Sequence, residues 1–159
     1  ELRDIVMHRA GFIAPRAEAL LYAADRSHHI ATLVRPALER GDIVLQDRYL
    51  DSSVAYQGAG RVLDPDEVRE LSLWATERLM PQLTVLLDVP ASIAKDRQAQ
   101  TERAYDRLEA EAEDFHTRVR ESYLALAAAE PERFLVIDGR RPIEEIHQLI
   151  LEKVSDLVG

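Results

Sequence analysis

The tightest constraint on how this chain can fold is a set of short apolar runs that end at or beside an aspartate. Two are almost wholly apolar: Leu83-Thr84-Val85-Leu86-Leu87-Asp88-Val89 and Phe134-Leu135-Val136-Ile137-Asp138. Runs of this length and character predict strands buried on both faces, as in parallel sheets. Asp42-Ile43-Val44-Leu45-Gln46-Asp47 is expected to be a third strand. In open α/β sheets the C-terminal ends of the strands face the ligand crevice, so the terminal aspartates mark a functional edge.

Helical patterns lie between these runs. From Arg16 to Arg40, apolar residues at Ala17, Leu20, Leu21, Ala24, Ala31, Val34 and Leu38 predict one buried helix face. Pro36 should kink or break that helix, and Gly41 should stop it. Pro65–Met80 reads as a helix capped by Asp64. Asp106–Ala129 reads as another, with Leu108, Ala112, Phe115, Val119, Ser122 and Leu126 on one stripe and Asp106 and Glu109 as a capping box. A last helix opens at Pro142, with Ile143, Ile146, Ile150, Val154 and Leu157 expected inward. Strands alternating with helices imply parallel crossovers within one α/β domain spanning residues 1–159.

The 159 residues suffice for a real core, since a fold of this size buries roughly 68–70% of its extended surface. A net charge of −9 argues against a nucleic-acid-binding face. It leaves room for a small phosphorylated ligand held by a few arginines. The absence of cysteine excludes disulfides and thiolate metal sites. No signal peptide or bilayer-spanning run is evident, so a cytoplasmic location without membrane partners is the default expectation. His28, His29 and His116 lack metal spacing, and no metal site made by the protein alone is expected.

The densest chemistry follows the Ile43 run. Asp47-Arg48-Tyr49-Leu50-Asp51-Ser52-Ser53-Val54-Ala55-Tyr56-Gln57-Gly58-Ala59-Gly60-Arg61 sets a carboxylate, two arginines, hydroxyls, phenols and an amide at a crevice edge. Arg48 can clamp a phosphate through its planar fork. Ser53, Tyr56 and Gln57 can hydrogen-bond a base or sugar. A structural Asp–Arg pair followed by a polar turn is the competing reading. Tyr22 and Arg26, four apart, share a helix face roughly 140–180° from the Ala17 direction. That pairing suits either a flat ligand or a Tyr–Arg surface contact. The polar stretch Ala91–Tyr105 carries Lys95, Arg97 and Arg103, and Arg140 and Arg141 follow the last strand.

Leu21-Tyr22-Ala23-Ala24-Asp25-Arg26, then Ile43 through Gly60, then Tyr105-Asp106-Arg107-Leu108-Glu109 together closely resemble the thymidylate kinase family, in that order. The resemblance runs over nearly the whole chain and is most specific in the long middle motif. It implies a P-loop NTPase-like three-layer α/β/α sandwich, with a five-stranded parallel sheet in the complete protein and three of those strands in this chain. It implies phosphoryl transfer from ATP, with Mg2+, to thymidine monophosphate, by a homodimer. Leu33, off the main apolar stripe, is the local hint of an interface.

Residue by residue, the resemblance implies that Tyr22 stacks on thymine and Arg26 donates to it. Arg48 holds the acceptor phosphate, and Asp47 lies near magnesium. Ser53, Tyr56 and Gln57 line the base and sugar pocket. Residues 91–105 form a lid bearing Arg97 and Arg103 as catalytic candidates, and Arg140 and Arg141 are candidates on the ATP side. No G-x-x-x-x-G-K-[ST] loop occurs in the chain. Activity requires that loop, and the expectation is an N-terminally incomplete sequence whose loop precedes Glu1. Another nucleoside monophosphate or deoxynucleoside kinase, and a non-catalytic nucleotide-binding protein, remain alternatives.

Overall fold

The structure, a computed structural model, describes residues 12–61, 63–90, 93 and 113–159. A long helical run opens it: α1 (Pro15–His29), a wider π-helical turn (Ile30–Val34) and α2 (Arg35–Glu39). The run does not break at Pro36. Proline has no N–H to give, and the helix absorbs this one turn earlier, where Arg35 N–H reaches back five residues to Ile30 O. The stop falls at Gly41, as expected. Its φ of 82° lets Gly41 N–H bond Leu38 O and Asp42 N–H bond Ala37 O, closing the helix end.

The face this helix buries differs from the expected stripe. Glu18, Ala19, Ala23, Ile30, Val34 and Ala37 are buried, whereas Leu20, Ala24, Ala31 and Leu38 are exposed. Along α1 the buried residues are two alanines and one carboxylate, Ala19, Ala23 and Glu18, so counting large apolar residues there points to the wrong side. Tyr22 and Arg26, expected off the core, turn inward with them.

Residues 42–46 form no strand. Ile43 and Leu45 are exposed, and no ladder bond among the described residues pairs this segment. Extended backbone becomes a strand only when a neighbour takes its hydrogen bonds. The described sheet therefore has two strands rather than three. They are β1 (Thr84–Asp88) and β2 (Phe134–Asp138), parallel, with Asp88 level with Asp138.

After the loop, α3 (Leu50–Ser53) runs into a second π-helical turn, Val54–Gly60. Gly60 is needed there, because an added Cβ would lie 2.7 Å from the Phe115 ring. α4 (Pro65–Ala75) starts on Asp64, whose carboxylate accepts Asp66 N–H at 2.9 Å. It ends before the expected Met80, because Glu77 and Arg78 take left-handed φ of 50° and 56°. α5 (Glu113–Ala129) buries Phe115, Val119 and Ala127. The expected first turns of that helix, with Asp106 and Glu109, lie outside the described residues. α6 (Ile143–Val158) follows Pro142 as expected but buries none of its residues. Ile146, Ile150 and Val154 are half-buried, and Ile143 and Leu157 are exposed.

One ion pair joins the strands to α3. Arg133, just before β2, donates to both oxygens of Asp51 at 2.8 and 2.9 Å and to Thr84 Oγ1 of β1 at 2.7 Å. The side chains of Arg133 and Asp51 are only 10% and 5% exposed. Arg133 also donates to Glu130, whose pKa this bond draws below the usual carboxylate value. Breaking a buried pair from one side strands the other charge. Asp51→Ala and Arg133→Met are each expected to lower stability by about 3–5 kcal/mol, read from urea melts. The double variant should lose clearly less than the sum. Strict additivity would show the pair to be uncoupled.

Candidate active site

The crevice residues come together where α1, α3, the second π-helical turn and α5 meet. Ala55, Phe115 and Val119 form a small apolar cluster, and Tyr22, Tyr56 and Tyr123 pack against it. The Tyr56 ring meets Phe115 and Tyr123 edge-on, at centroid distances of 5.9 and 6.4 Å. Edge-to-face packing of this kind fixes ring planes. Tyr22 and Tyr56 thus pack on the same apolar cluster.

Arg26 lies one turn beyond Tyr22. Its Nη2 donates to Ser53 Oγ at 2.8 Å, and its guanidinium sits 5.8 Å from the Tyr49 ring centre. Burial holds the Arg26 pKa below the ordinary value, against the raising influence of Tyr49, Asp25 and Asp51. Its Nη1 is buried with no hydrogen-bond partner among the described residues. Such a donor carries an unmet cost, which an acceptor arriving with a ligand removes.

Arg48 stands at the loop's turn with a left-handed φ of 63°. For a non-glycine residue this is sparsely populated backbone, of the kind found at ligand clamps. Gln46 Nε2 donates to Arg48 O at 3.1 Å and steadies the turn. The guanidinium lies 4.9 Å from the Tyr56 ring centre. Burial opposes the Arg48 charge, but Tyr56, Tyr123 and Asp47 outweigh it and raise the pKa. Asp47 is exposed beside it.

Ser53 and Gln57 are buried. Ser53 is engaged by Arg26, and Gln57 Nε2 donates to Glu18 Oε1 at 3.1 Å. Arg140 and Arg141 sit apart, after β2. Arg140 grips Asp138 with Nε at 2.8 Å and Nη2 at 2.7 Å, and Arg141 reaches Glu145 at 3.9 Å. Arg140 thereby draws the Asp138 pKa well below the carboxylate range. Arg120 of α5 forks onto the neighbouring Asp88 at 2.6 and 2.8 Å, so each strand-end aspartate holds an arginine. The lid segment 91–105, with Arg97 and Arg103, lies outside the described residues but for position 93.

Sequence reasoning missed four contributors: Glu18, Asp51, Arg61 and Tyr123. Tyr123 has a legible signal, since it lies four and eight residues beyond Val119 and Phe115, on the same side of α5. Glu18 has one too, standing four residues before Tyr22 and eight before Arg26. Asp51 and Arg61 were in the quoted motif, but nothing in its spacing shows what each would bind.

The chemistry available is that of a phosphorylated, flat, hydrogen-bonding ligand. Two arginines stand at aromatic rings, one with a donor to spare. An exposed carboxylate beside Arg48 suits a hydrated divalent cation that also takes phosphate oxygens. Among the described residues no group of three His, Cys, Asp or Glu is placed to hold a metal ion.

Comparison with known proteins points the same way. The thymidylate kinase family profile matches residues 1–150. A thymidylate kinase of Leifsonia xyli subsp. xyli is 70% identical over 146 residues, covering 92% of this chain and 69% of that protein. One from Clavibacter michiganensis subsp. michiganensis is 63% identical over 159 residues, covering 100% of this chain and 75% of its own. One from Bifidobacterium longum is 49% identical over 160 residues, covering 98% and 76%.

Ser52 Oγ and Tyr123 Oη share a 2.6 Å hydrogen bond, and burial pushes the Tyr123 phenol up to about 12. A phenol whose folded pKa exceeds its ordinary value near 10 keeps its proton longer in the fold than in the unfolded chain. Its contribution to stability is full below pH 10 and is lost as pH rises toward about 12. Stability should therefore fall across that window, and Tyr123→Phe should flatten the fall. Denaturant melts at stepped alkaline pH decide this. An unchanged slope in the variant removes Tyr123 as the cause.

Proposed function

Because this chain belongs to the thymidylate kinase family, we propose that it transfers the γ-phosphoryl group of ATP to thymidine monophosphate, giving thymidine diphosphate and ADP. The observation that carries the reading is the buried Nη1 of Arg26, without a hydrogen-bond partner among the described residues, beside Ser53 and one turn from Tyr22. Thymine O4 is an acceptor that meets this donor, while Tyr22 stacks on the ring. Gln57, Ser53 and Tyr56 complete the base and sugar pocket. The relatives' shared name favours this over another nucleotide kinase or a non-catalytic binder.

Phosphoryl transfer asks a protein chiefly for positioning and charge stabilisation. In this reading Arg48 holds the acceptor's phosphate, with its fork aimed by the strained turn and the fixed Tyr56 ring. An oxygen of that phosphate attacks the γ-phosphorus as the bond to the β–γ bridging oxygen breaks. The acceptor oxygen is already ionised, so no general base is needed. Asp47 fits a place beside Mg2+ delivered with ATP, which would neutralise charge on the phosphates. Arg97 and Arg103, in a lid over residues 91–105, are proposed to close on the transferring group. Arg140 and Arg141 are proposed near ATP, although Arg140 must share its fork with Asp138.

No helix among the described residues is long and apolar enough to cross a membrane. A cytoplasmic location is part of the proposal, supported by the nucleotide substrates. A homodimer is proposed on the exposed Leu20 and Leu33 of the long helical run, at 56% and 60% exposure. Light scattering of the intact protein at micromolar concentration should give twice the chain mass, and a monomer would end that part of the proposal.

A kinetic panel on the intact protein tests the function. Thymidine and deoxyuridine monophosphates should be phosphorylated, and deoxycytidine monophosphate strongly disfavoured. Cytosine sets an amino donor against Arg26, and two facing donors cost roughly 1–3 kcal/mol. Arg26→Ala should weaken the preferred substrates and narrow that gap. Arg48→Ala should depress kcat/KM for every acceptor alike, by about 1.5–3 kcal/mol or more. Tyr22→Phe should be nearly silent and Tyr22→Ala should raise KM. Full discrimination against cytosine in Arg26→Ala would sink the base assignment. No turnover of thymidine monophosphate by the unaltered protein would sink the function.

A further inference from the structure

The described residues hold a buried carboxylate that the transfer reaction does not use. Glu18 of α1 is 0% exposed. Its Oε1 accepts from Gln57 Nε2 at 3.1 Å and pairs with Arg61 Nε at 3.4 Å. Arg61 in turn lies 5.1 Å from the Phe115 ring centre, on the floor of the crevice. Glu18, Tyr22 and Arg26 are spaced by four residues, so they stack along one face of α1. The carboxylate is thus one turn below the ring that the proposed base lies on.

Burying a carboxylate is expensive, and a neutral side chain would fill this space at lower cost. What a carboxylate paired with arginine offers is one-sidedness: it only accepts. A glutamine side chain has a donor end and an acceptor end of nearly the same shape. Only its NH2 end can face Glu18, so its oxygen is the end left to read a ligand. We infer that Glu18 is a specificity-positioning residue, which fixes the orientation of the Gln57 amide so that the pocket presents an acceptor to the base edge. This rests on the reading of the crevice as a pyrimidine monophosphate site. Thymine and uracil carry an N3–H donor that an acceptor satisfies. Cytosine carries a lone pair at N3, which the Gln57 oxygen repels. Glu18 therefore adds a second point of selection, beside the contact of Arg26 with O4.

Glu18→Gln tests this, because an amide at 18 accepts either end of Gln57. The ratio of kcat/KM for thymidine over deoxycytidine monophosphate should fall about tenfold. Most of the loss with thymidine monophosphate should appear in KM rather than kcat. A packing defect would lower the folded fraction and affect both substrates alike, leaving the ratio where it was. In a Gln57→Ala background, Glu18→Gln should no longer move the ratio. If Gln57→Ala shifts the ratio and Glu18→Gln does not, Glu18 is a packing residue and the base-site reading stands. If Gln57→Ala leaves both KM and the ratio unchanged, Gln57 does not read the base and the inference falls with it. Should Glu18→Gln fail to fold, a crystal structure of the unaltered protein with thymidine monophosphate decides. Gln57 bridging Glu18 and N3 supports the inference, and Gln57 turned from either overturns it.

Discussion

Three successive residues of one short helix hold the crevice together. On α3, Asp51 takes the fork of Arg133 just before β2, Ser52 bonds Tyr123 of α5, and Ser53 accepts from Arg26 of α1. Each contact ties α3 to a different element. Asp51 and Arg133 set the height of α3 against the sheet, because Arg133 also holds Thr84 of β1. Burial makes the link strong: an ion pair removed from water tolerates little misalignment. Arg48, three residues before Asp51, is carried on the same anchored turn.

The long helical run shows a related trade. Its inward side holds Glu18, Ala19, Ala23 and Arg26, while Leu20, Leu33 and Leu38 point outward. Small residues let the helix approach the second π-helical turn closely, and Glu18 and Arg26 then reach polar partners there. Both π-helical turns lie on this path, at Ile30–Val34 and Val54–Gly60. Such wide turns are frequent at functional sites, since they re-aim side chains without ending the helix.

Charge is used sparingly but with direction. The chain is acidic overall, at −9, yet Arg26, Arg48 and Arg61 each approach an aromatic ring in one region. Rings support a guanidinium plane without competing for all of its donors, and Arg26 keeps an N–H group for a ligand acceptor. Asp88 and Asp138, by contrast, are each matched two-pronged by Arg120 and Arg140.

The sequence by itself determined that the Val85 and Ile137 runs are strands of a parallel sheet and that a helix lies between them, together with the caps at Asp64 and Gly41 and the family through its long Asp-Arg-Tyr motif. These are local or near-local properties: apolar runs, periodicity, and turn chemistry that a few neighbouring residues dictate. It also marked Tyr22, Arg26, Arg48, Ser53, Tyr56 and Gln57, and the fold brings those together. Only the tertiary structure decided which side of the long helix faces inward, because α1 buries Glu18, Ala19 and Ala23 rather than Leu20, and partners 27 and 39 residues away receive Arg26 and Glu18. Only it decided that Ile43 and Leu45 stay outside the described sheet, because a strand needs a neighbour's hydrogen bonds and the apolar pattern supplies none. The matching of Asp51 to Arg133 and of Glu18 to Gln57 spans 82 and 39 residues. A buried charge finds its partner through the path of the whole chain, and no spacing along the sequence encodes that distance.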